Sequence, residues 1–156
     1  MRQKLFGVDN ILVSQTLLAL AEVFLEDGRR GALEKGAVNS QEALRIQRLH
    51  LNSGEGMGRT VPGTLLVVGR IHCRIYRHNK AVKCFQEGLE LTEKEEDNWA
   101  RMMYELGRTM ERLGKYQKGL DLLNGVLETW EKSLEEDDGR KKRLEIAEMF
   151  EYVRIL

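Results

Sequence analysis

Apolar residues recur along this chain at intervals of three and four, the spacing that places them on one face of an α-helix. The pattern breaks at glycine-containing turns such as Asp27-Gly28, where a helix can end in a left-handed residue. Pro62 fits the first turn of a helix, where its missing N–H would have no intrahelical acceptor. The sequence therefore predicts an all-α fold of about seven helices, at approximately 11–27, 33–51, 62–77, 79–96, 97–113, 115–136 and 140–156.

Residues 65–91 and 103–130 match one another at a constant offset of 38 positions. The register is fixed by two glycines, and the apolar positions around them then coincide. The matched pairs include Gly69 with Gly107, Leu65 with Met103, Val68 with Leu106, His72 with Met110, Ile75 with Leu113 and Phe85 with Leu123. Self-similarity at such a period is typical of stacked helical repeats, in which each unit buries its apolar face against a neighbour.

Several glycines fall inside predicted helices, where each costs about 1 kcal/mol relative to alanine. Close approach of two helices is the obvious compensation for that cost. We therefore expect helix contacts at Gly69, Gly107, Gly88, Gly119 and Gly125.

The unit that follows residue 97 resembles a tetratricopeptide repeat. It has Leu106-Gly107 where the two helices of such a unit approach, Gly114 in the turn, and the small Gly119 where the second helix crosses the first. The preceding unit is similar but has Tyr76 in place of the turn glycine. The long second helix and acidic turn at 126–138 resemble the kinesin light chain style of repeat.

This resemblance implies a right-handed superhelix of antiparallel helix pairs, whose concave groove holds a partner peptide or helix. It divides the chain into a leader at 1–8 and a repeat domain at 9–156, with units at 9–51, 62–96 and 97–138 and a further helix at 140–156. That last helix is still apolar-periodic at Met149, Phe150 and Val153. Since a terminal repeat usually has a polar outer face, we expect this helix to contact a partner or a continuation of the chain.

The composition and charge of the chain limit the kinds of partner that the sequence predicts. The chain has 156 residues, 42% hydrophobic, with 25 basic and 25 acidic residues, so its net charge is zero. Nothing at whole-chain level predicts binding to nucleic acid or to a membrane. The charge is nevertheless divided, because 41–83 holds 8 basic and 2 acidic residues whereas 84–138 holds 7 basic and 15 acidic residues. Two cysteines are too few for a disulfide framework and indicate a reducing compartment, the cytoplasm.

The sequence offers little that predicts catalysis or metal binding. His72, Cys73, His78 and Cys84 have metal-ligating side chains, but steps of six between His72, His78 and Cys84 do not fit a helical zinc site. The glycines of the 52–63 loop lack the preceding strand and the Gly-Lys-Ser/Thr of a phosphate loop. We therefore expect no metal, no cofactor and no enzymatic activity.

Five arginines are the candidate peptide-binding residues. Three share one side of the helix at 97–113, opposite its apolar stripe, and two occupy the matching positions of the preceding unit; they are Arg101, Arg108, Arg112, Arg70 and Arg74. In the resembling family these positions face the groove, where guanidinium groups would favour an acidic peptide. The alternative is a solvated face with an Arg101–Glu105–Arg108 ion-pair ladder. Val67 takes the place of Glu105 in the earlier unit, so such a ladder does not account for Arg70 and Arg74.

These patterns together predict a non-enzymatic protein-interaction module or scaffold that binds a protein or peptide. The apolar helix at the C-terminal end of the pattern favours one alternative. In that case the chain is a regulatory or sensor repeat segment of a larger multidomain protein, for example one with a nucleotide-hydrolysing domain.

Overall fold

The computed structural model describes residues 7, 9–52, 60–94, 96–136, 147–148 and 151. Over these residues the protein contains six helices of eight residues or more and no β-strand, which confirms the all-α prediction. The seventh predicted helix, at 140–156, lies outside the described residues except for three helical positions, Ala147, Glu148 and Glu151. The helices are α1 (Ile11–Asp27), α2 (Arg30–Asn52), α3 (Thr60–Arg74), α4 (His78–Glu90), α5 (Asp97–Arg112) and α6 (Tyr116–Glu136).

The chain divides into two compact units, Met1–Thr92 and Glu93–Leu156. In the first unit α1 packs against α2, α2 against α3, and α3 against α4, while α1 also contacts α3. In the second unit α5 packs against α6. Each helix therefore packs against the one that follows it within its own unit.

α3 is the central helix of the first unit. Eleven of its fifteen residues are buried, because α1, α2 and α4 all pack against it. Its Val67 and Ile71 join a cluster from α1 and α2 that includes Ala21, Leu25 and Leu33. Full burial of each leucine or isoleucine side chain contributes about 1.5–3 kcal/mol, so this cluster stabilises the packing of the three helices.

A buried polar contact also joins α2 to α3. Thr64 and Gln47 are both buried, and the Thr64 hydroxyl lies 2.7 Å from Oε1 of Gln47 and 3.2 Å from the carbonyl of Thr60. A buried amide without a partner would be costly, so this hydrogen bond stabilises the packing of α2 against α3.

The turn after α3 and the turn after α5 have the same backbone geometry. The α3 turn has hydrogen bonds from the amides of Ile75, Tyr76 and Arg77 to the carbonyls of Ile71, Cys73 and His72. The α5 turn has the same three bonds at the matching positions, from Leu113, Gly114 and Lys115 to Thr109, Glu111 and Met110. The middle residue has positive φ in both turns, 62° at Tyr76 and 75° at Gly114. The constant offset in the sequence is thus an equivalence of local structure.

The expected glycine contacts hold at three of the helical positions. An ideal Cβ on Gly119 would lie 2.8 Å from the carbonyl oxygen of Gly107, so α5 and α6 touch backbone to backbone at this point. Gly69 and Gly107 are also crowded by a side chain of the partner helix, at 2.3 Å and 2.8 Å respectively. The prediction was wrong for Gly125, whose Cβ would meet nothing within 4 Å.

Helix ends were the least accurate part of the prediction. α2 begins at Arg30 rather than at residue 33, and its Gly36 lies where Phe24 of α1 and Ile71 of α3 both approach. α4 ends at Glu90, well before the expected position 96. α4 has Arg77 at its N-cap, with no side-chain capping hydrogen bond.

The N-terminus of α5 likewise has no side-chain cap. Asp97 is the first helical residue of α5, and Glu96 holds the N-cap position without a side-chain hydrogen bond. No described helix is both long enough and apolar enough to traverse a lipid bilayer.

Candidate functional site

The structure places the five predicted arginines on two helices, in different units. In the first unit, Arg70 and Arg74 lie one turn apart and are exposed, although most of α3 is buried. They occupy the strip of α3 that the three neighbouring helices leave uncovered. Two guanidinium groups are therefore presented from one surface of this unit.

In the second unit, the three predicted residues of α5 differ in exposure. Arg101 and Arg112 are exposed, whereas Arg108 is half-buried, with its guanidinium carbon 5.6 Å from the centroid of the Tyr104 ring. Tyr104 in turn packs against the core cluster of Ala100, Val126 and Leu127. Arg108 thus stacks on an aromatic ring of the α5–α6 pair, where a cation–π contact contributes about 0.5–1 kcal/mol.

One of the arginines of α3 also lines a cavity of about 600 Å³ in the first unit. The cavity lies where the turn between α1 and α2 meets the end of α3. Its charged lining consists of Arg30, Arg74, Arg77 and Glu34, so the lining has three positive groups and one negative group. Leu33 and Ile75 supply apolar wall.

The turn between α1 and α2 positions one side of this cavity. α1 ends at Gly28, whose φ of 70° is the left-handed C-cap that the sequence predicted. Nη2 of Arg74 lies only 2.6 Å from where a Cβ on Gly28 would be, so the guanidinium rests directly on the glycine. The absence of a side chain at residue 28 is what admits Arg74 to this position.

The ion pairs around the cavity leave two of its arginines available. Nε of Arg30 lies 3.4 Å from Oε1 of Glu34, one helical turn away. Arg74 and Arg77 make no ion pair with the described residues. Nearby, Arg29 binds Asp27 through two short hydrogen bonds, which lower the pKa of the Asp27 carboxyl to about 2.

Tyr76 also lines the cavity and has an unusual backbone. Its φ of 62° is rare for a bulky residue, and 85% of its surface is exposed. Its ring makes an edge-on contact with the His78 ring, with centroids 6.1 Å apart. The strain therefore places an aromatic side chain in solvent beside the arginines.

Sequence reasoning found Arg74 but missed Arg30 and Arg77 as members of the same cluster. The signal available in the sequence was Tyr76, which departs from the turn glycine of the following repeat. Arg30 could not be connected to this turn because nothing in a local pattern shows that the two chain segments meet.

Of the His and Cys residues on α3 and α4, His72 and Cys73 are buried in the core, whereas His78 and Cys84 are half-buried. His72 is 2% exposed, like the matched Met110 at 8%, and its Nε2 lies 3.4 Å from the side-chain nitrogen of Gln41. Burial, followed by Lys80 and Arg77, lowers the pKa of His72. Burial raises the pKa of the Cys84 thiol to about 11. Among the described residues no group of three His, Cys, Asp or Glu side chains is placed to hold a metal ion.

In comparisons with known proteins, no family model matches this chain and no curated protein is significantly similar to it. The likeness to tetratricopeptide repeats therefore depends on the residue pattern alone.

Proposed function

We propose that this protein is a non-enzymatic interaction module, in which tetratricopeptide-like helix pairs form a superhelical array that binds acidic peptides or partner helices. The observation that carries the proposal is the exposure of Arg70 and Arg74 on a helix that is otherwise buried. Guanidinium groups hold carboxylates and phosphates through paired hydrogen bonds, so a surface of this kind favours an acidic ligand. The exposed Arg101 and Arg112 of α5 support the same role in the second unit.

The local equivalence of the two units supports the repeat part of this proposal. The same turn hydrogen bonds and the same glycine contacts recur at the matching positions of α3–α4 and α5–α6. Repeats with this regularity serve mainly as binding surfaces. The two cysteines are free thiols, which supports a reducing compartment such as the cytoplasm.

Selection from a displayed library of random peptides tests the function. Selected peptides should be rich in Asp and Glu, and their affinity should fall as salt rises, because exposed charges are screened within about 8 Å at physiological ionic strength. The double variant Arg70→Glu with Arg74→Glu should lose these peptides without a change in its thermal melt.

The matched control is Lys80→Glu with Lys83→Glu, which makes the same charge change at exposed positions of α4 in the same unit. It should keep most of the binding. Selected peptides without acidic enrichment, or equal losses in the two double variants, would contradict the proposed role of Arg70 and Arg74.

A further inference from the structure

The cavity at the end of α3 concentrates positive charge in a way that the fold does not require. Arg30, Arg74 and Arg77 surround it with one carboxylate, Glu34, so its lining has a net charge of +2. Arg74 and Arg77 have no ion pair among the described residues, and all three arginines are exposed. Like charges around one cavity repel one another, and an anion between them would relieve that repulsion.

Tyr76 gives a second, independent indication. The equivalent residue of the following turn is Gly114, which adopts the same backbone conformation without strain. Tyr76 adopts the same conformation with strain, yet it is 85% exposed, so burial of its side chain does not offset the free-energy cost of the strained backbone. Strained residues that persist without a packing reason are concentrated at ligand-binding positions.

The dimensions and walls of the cavity define the kind of anion. A volume of about 600 Å³ lies in the range of small-molecule sites and exceeds what a carboxylate or a bare phosphate needs. Leu33 and Ile75 provide apolar wall, and the aromatic residue Tyr76 also lines the cavity. These features fit an anionic head joined to an apolar or aromatic stem.

We propose that this cavity binds the phosphorylated side chain of a partner peptide. Arg74 and Arg77 bind the phosphate oxygens, Arg30 contributes from beside Glu34, and the Tyr76 ring packs on the stem of the phosphorylated residue. A phosphate monoester matches several guanidinium groups better than a carboxylate does, because it carries about two charges and three acceptor oxygens. That the phosphate belongs to a peptide is an inference that rests on the proposed function. That the cavity binds a phosphate monoester is argued from the cavity itself.

Phenyl phosphate tests the cavity directly, without any peptide. The readout is the shift of the Arg74 and Arg77 side-chain Nε–H resonances in NMR titrations of the full chain, which also gives the dissociation constant. Phenyl phosphate should bind more tightly than inorganic phosphate. Arg77→Glu should weaken phenyl phosphate binding about tenfold or more, since a charge-assisted hydrogen bond is lost and the new carboxylate repels the phosphate.

Two further variants test whether binding depends on the residues that line the cavity. Lys83→Glu makes the same charge change at an exposed α4 position that does not line the cavity, and it should leave phenyl phosphate binding nearly unchanged. Tyr76→Gly relieves the strained φ and so should fold well, yet it should bring phenyl phosphate down to the affinity of inorganic phosphate. No resonance shift at Arg74 or Arg77, or equal losses with Arg77→Glu and Lys83→Glu, would overturn the cavity assignment.

The source of the phosphate is settled by a comparison of two ligands. A phosphotyrosine peptide should bind better than its unphosphorylated form, and Arg77→Glu should remove the difference. Vesicles containing phosphorylated inositol lipids should not bind; if they bind and the phosphopeptide does not, the peptide assignment is overturned. Library peptides that depend on Arg70 and Arg74, without phenyl phosphate binding, would leave the proposed function standing and refute only this inference.

Discussion

An alanine at Gly69 would place its Cβ 2.3 Å from Cε1 of Phe85, closer than any real methyl contact. Phe85 is fully buried, so its ring cannot move aside into solvent. The same relationship recurs in the following helix pair, where a Cβ on Gly107 would lie 2.8 Å from Cγ of Leu123. In both pairs the glycine of the first helix therefore makes room for the large side chain of the second.

This contact predicts opposite effects for glycines of one helix pair. Gly107→Ala should destabilise the protein by about 1–3 kcal/mol, because the added methyl overpacks against Leu123 and the Gly119 carbonyl. Gly125→Ala, in α6 with nothing within 4 Å, should stabilise it by up to about 1 kcal/mol through helix propensity. Urea unfolding measures both changes. A stabilised Gly107→Ala variant would show that the α5–α6 approach is looser than the structure has it.

The strained turn residue predicts a stabilising substitution. Tyr76→Gly should raise the free energy of unfolding by about 1 kcal/mol, because a left-handed φ is costly for a residue with a Cβ. At the equivalent position, Gly114→Ala should lower the free energy of unfolding by a similar amount, because the added Cβ is strained at a left-handed φ. A steric clash would not be the cause, since nothing lies within 4 Å of the added methyl. Thermal melts of the two variants report the sign of each change. If Tyr76→Gly lowered the melting temperature, its side chain would be contributing to folding after all.

His72 predicts a loss of stability in mild acid. Burial and the nearby Lys80 and Arg77 lower its folded-state pKa below the ordinary 6.5, so the unfolded chain binds a proton more readily than the native state. The contribution of neutral His72 to the free energy of unfolding should therefore be fully present above pH 6.5 and should decrease as the pH falls below that value. His72→Met, which copies the residue at the equivalent Met110, should flatten this dependence in urea unfolding between about pH 7.5 and pH 5.5. The other histidines remain in both proteins, so an unchanged slope would exclude His72 as the cause.

Cys84 predicts slow alkylation of the native protein. Its thiol pKa of about 11, raised mainly by burial, leaves about a hundredfold less thiolate at pH 8 than a pKa of 9.0 would. In a Cys73→Ala background, iodoacetamide should react about a hundred times more slowly with the folded chain than with the chain in urea. Mass spectrometry of quenched samples gives both rates, and similar rates would show that the thiol is accessible and ordinary.

Much of the fold could be predicted because it is encoded locally. The three- and four-residue spacing of apolar side chains predicted all six described helices, and the left-handed glycine at Gly28 marked the end of α1. The offset that matches Gly69 to Gly107 predicted two equivalent helix contacts. Periodicity reports which face of a helix is buried, and that information is contained in a few neighbouring residues. The superhelical arrangement of the pairs stays a prediction.

Errors arose where the outcome depends on distant residues. The expected contact at Gly125 is absent because α5 and α6 approach closely at Gly119 and Gly107 instead. The sequence did not distinguish Arg108 from Arg101 and Arg112, although Arg108 is half-buried and stacks on the Tyr104 ring. Helical-wheel geometry fixes the direction of a side chain, whereas its exposure depends on the neighbour that shares its face.

The sequence by itself determined the helices, their turns and the presence of exposed arginines on α3, since each follows from local spacing and residue type. Only the tertiary structure decided that Arg30 would join Arg74 and Arg77 around one cavity. Arg30 is distant from the other two along the chain, with most of α2 and α3 between them. They meet because α1 and α2 both pack against α3, which brings the α1–α2 turn to the end of α3. That packing is a property of the assembled apolar faces, and no single helix contains it.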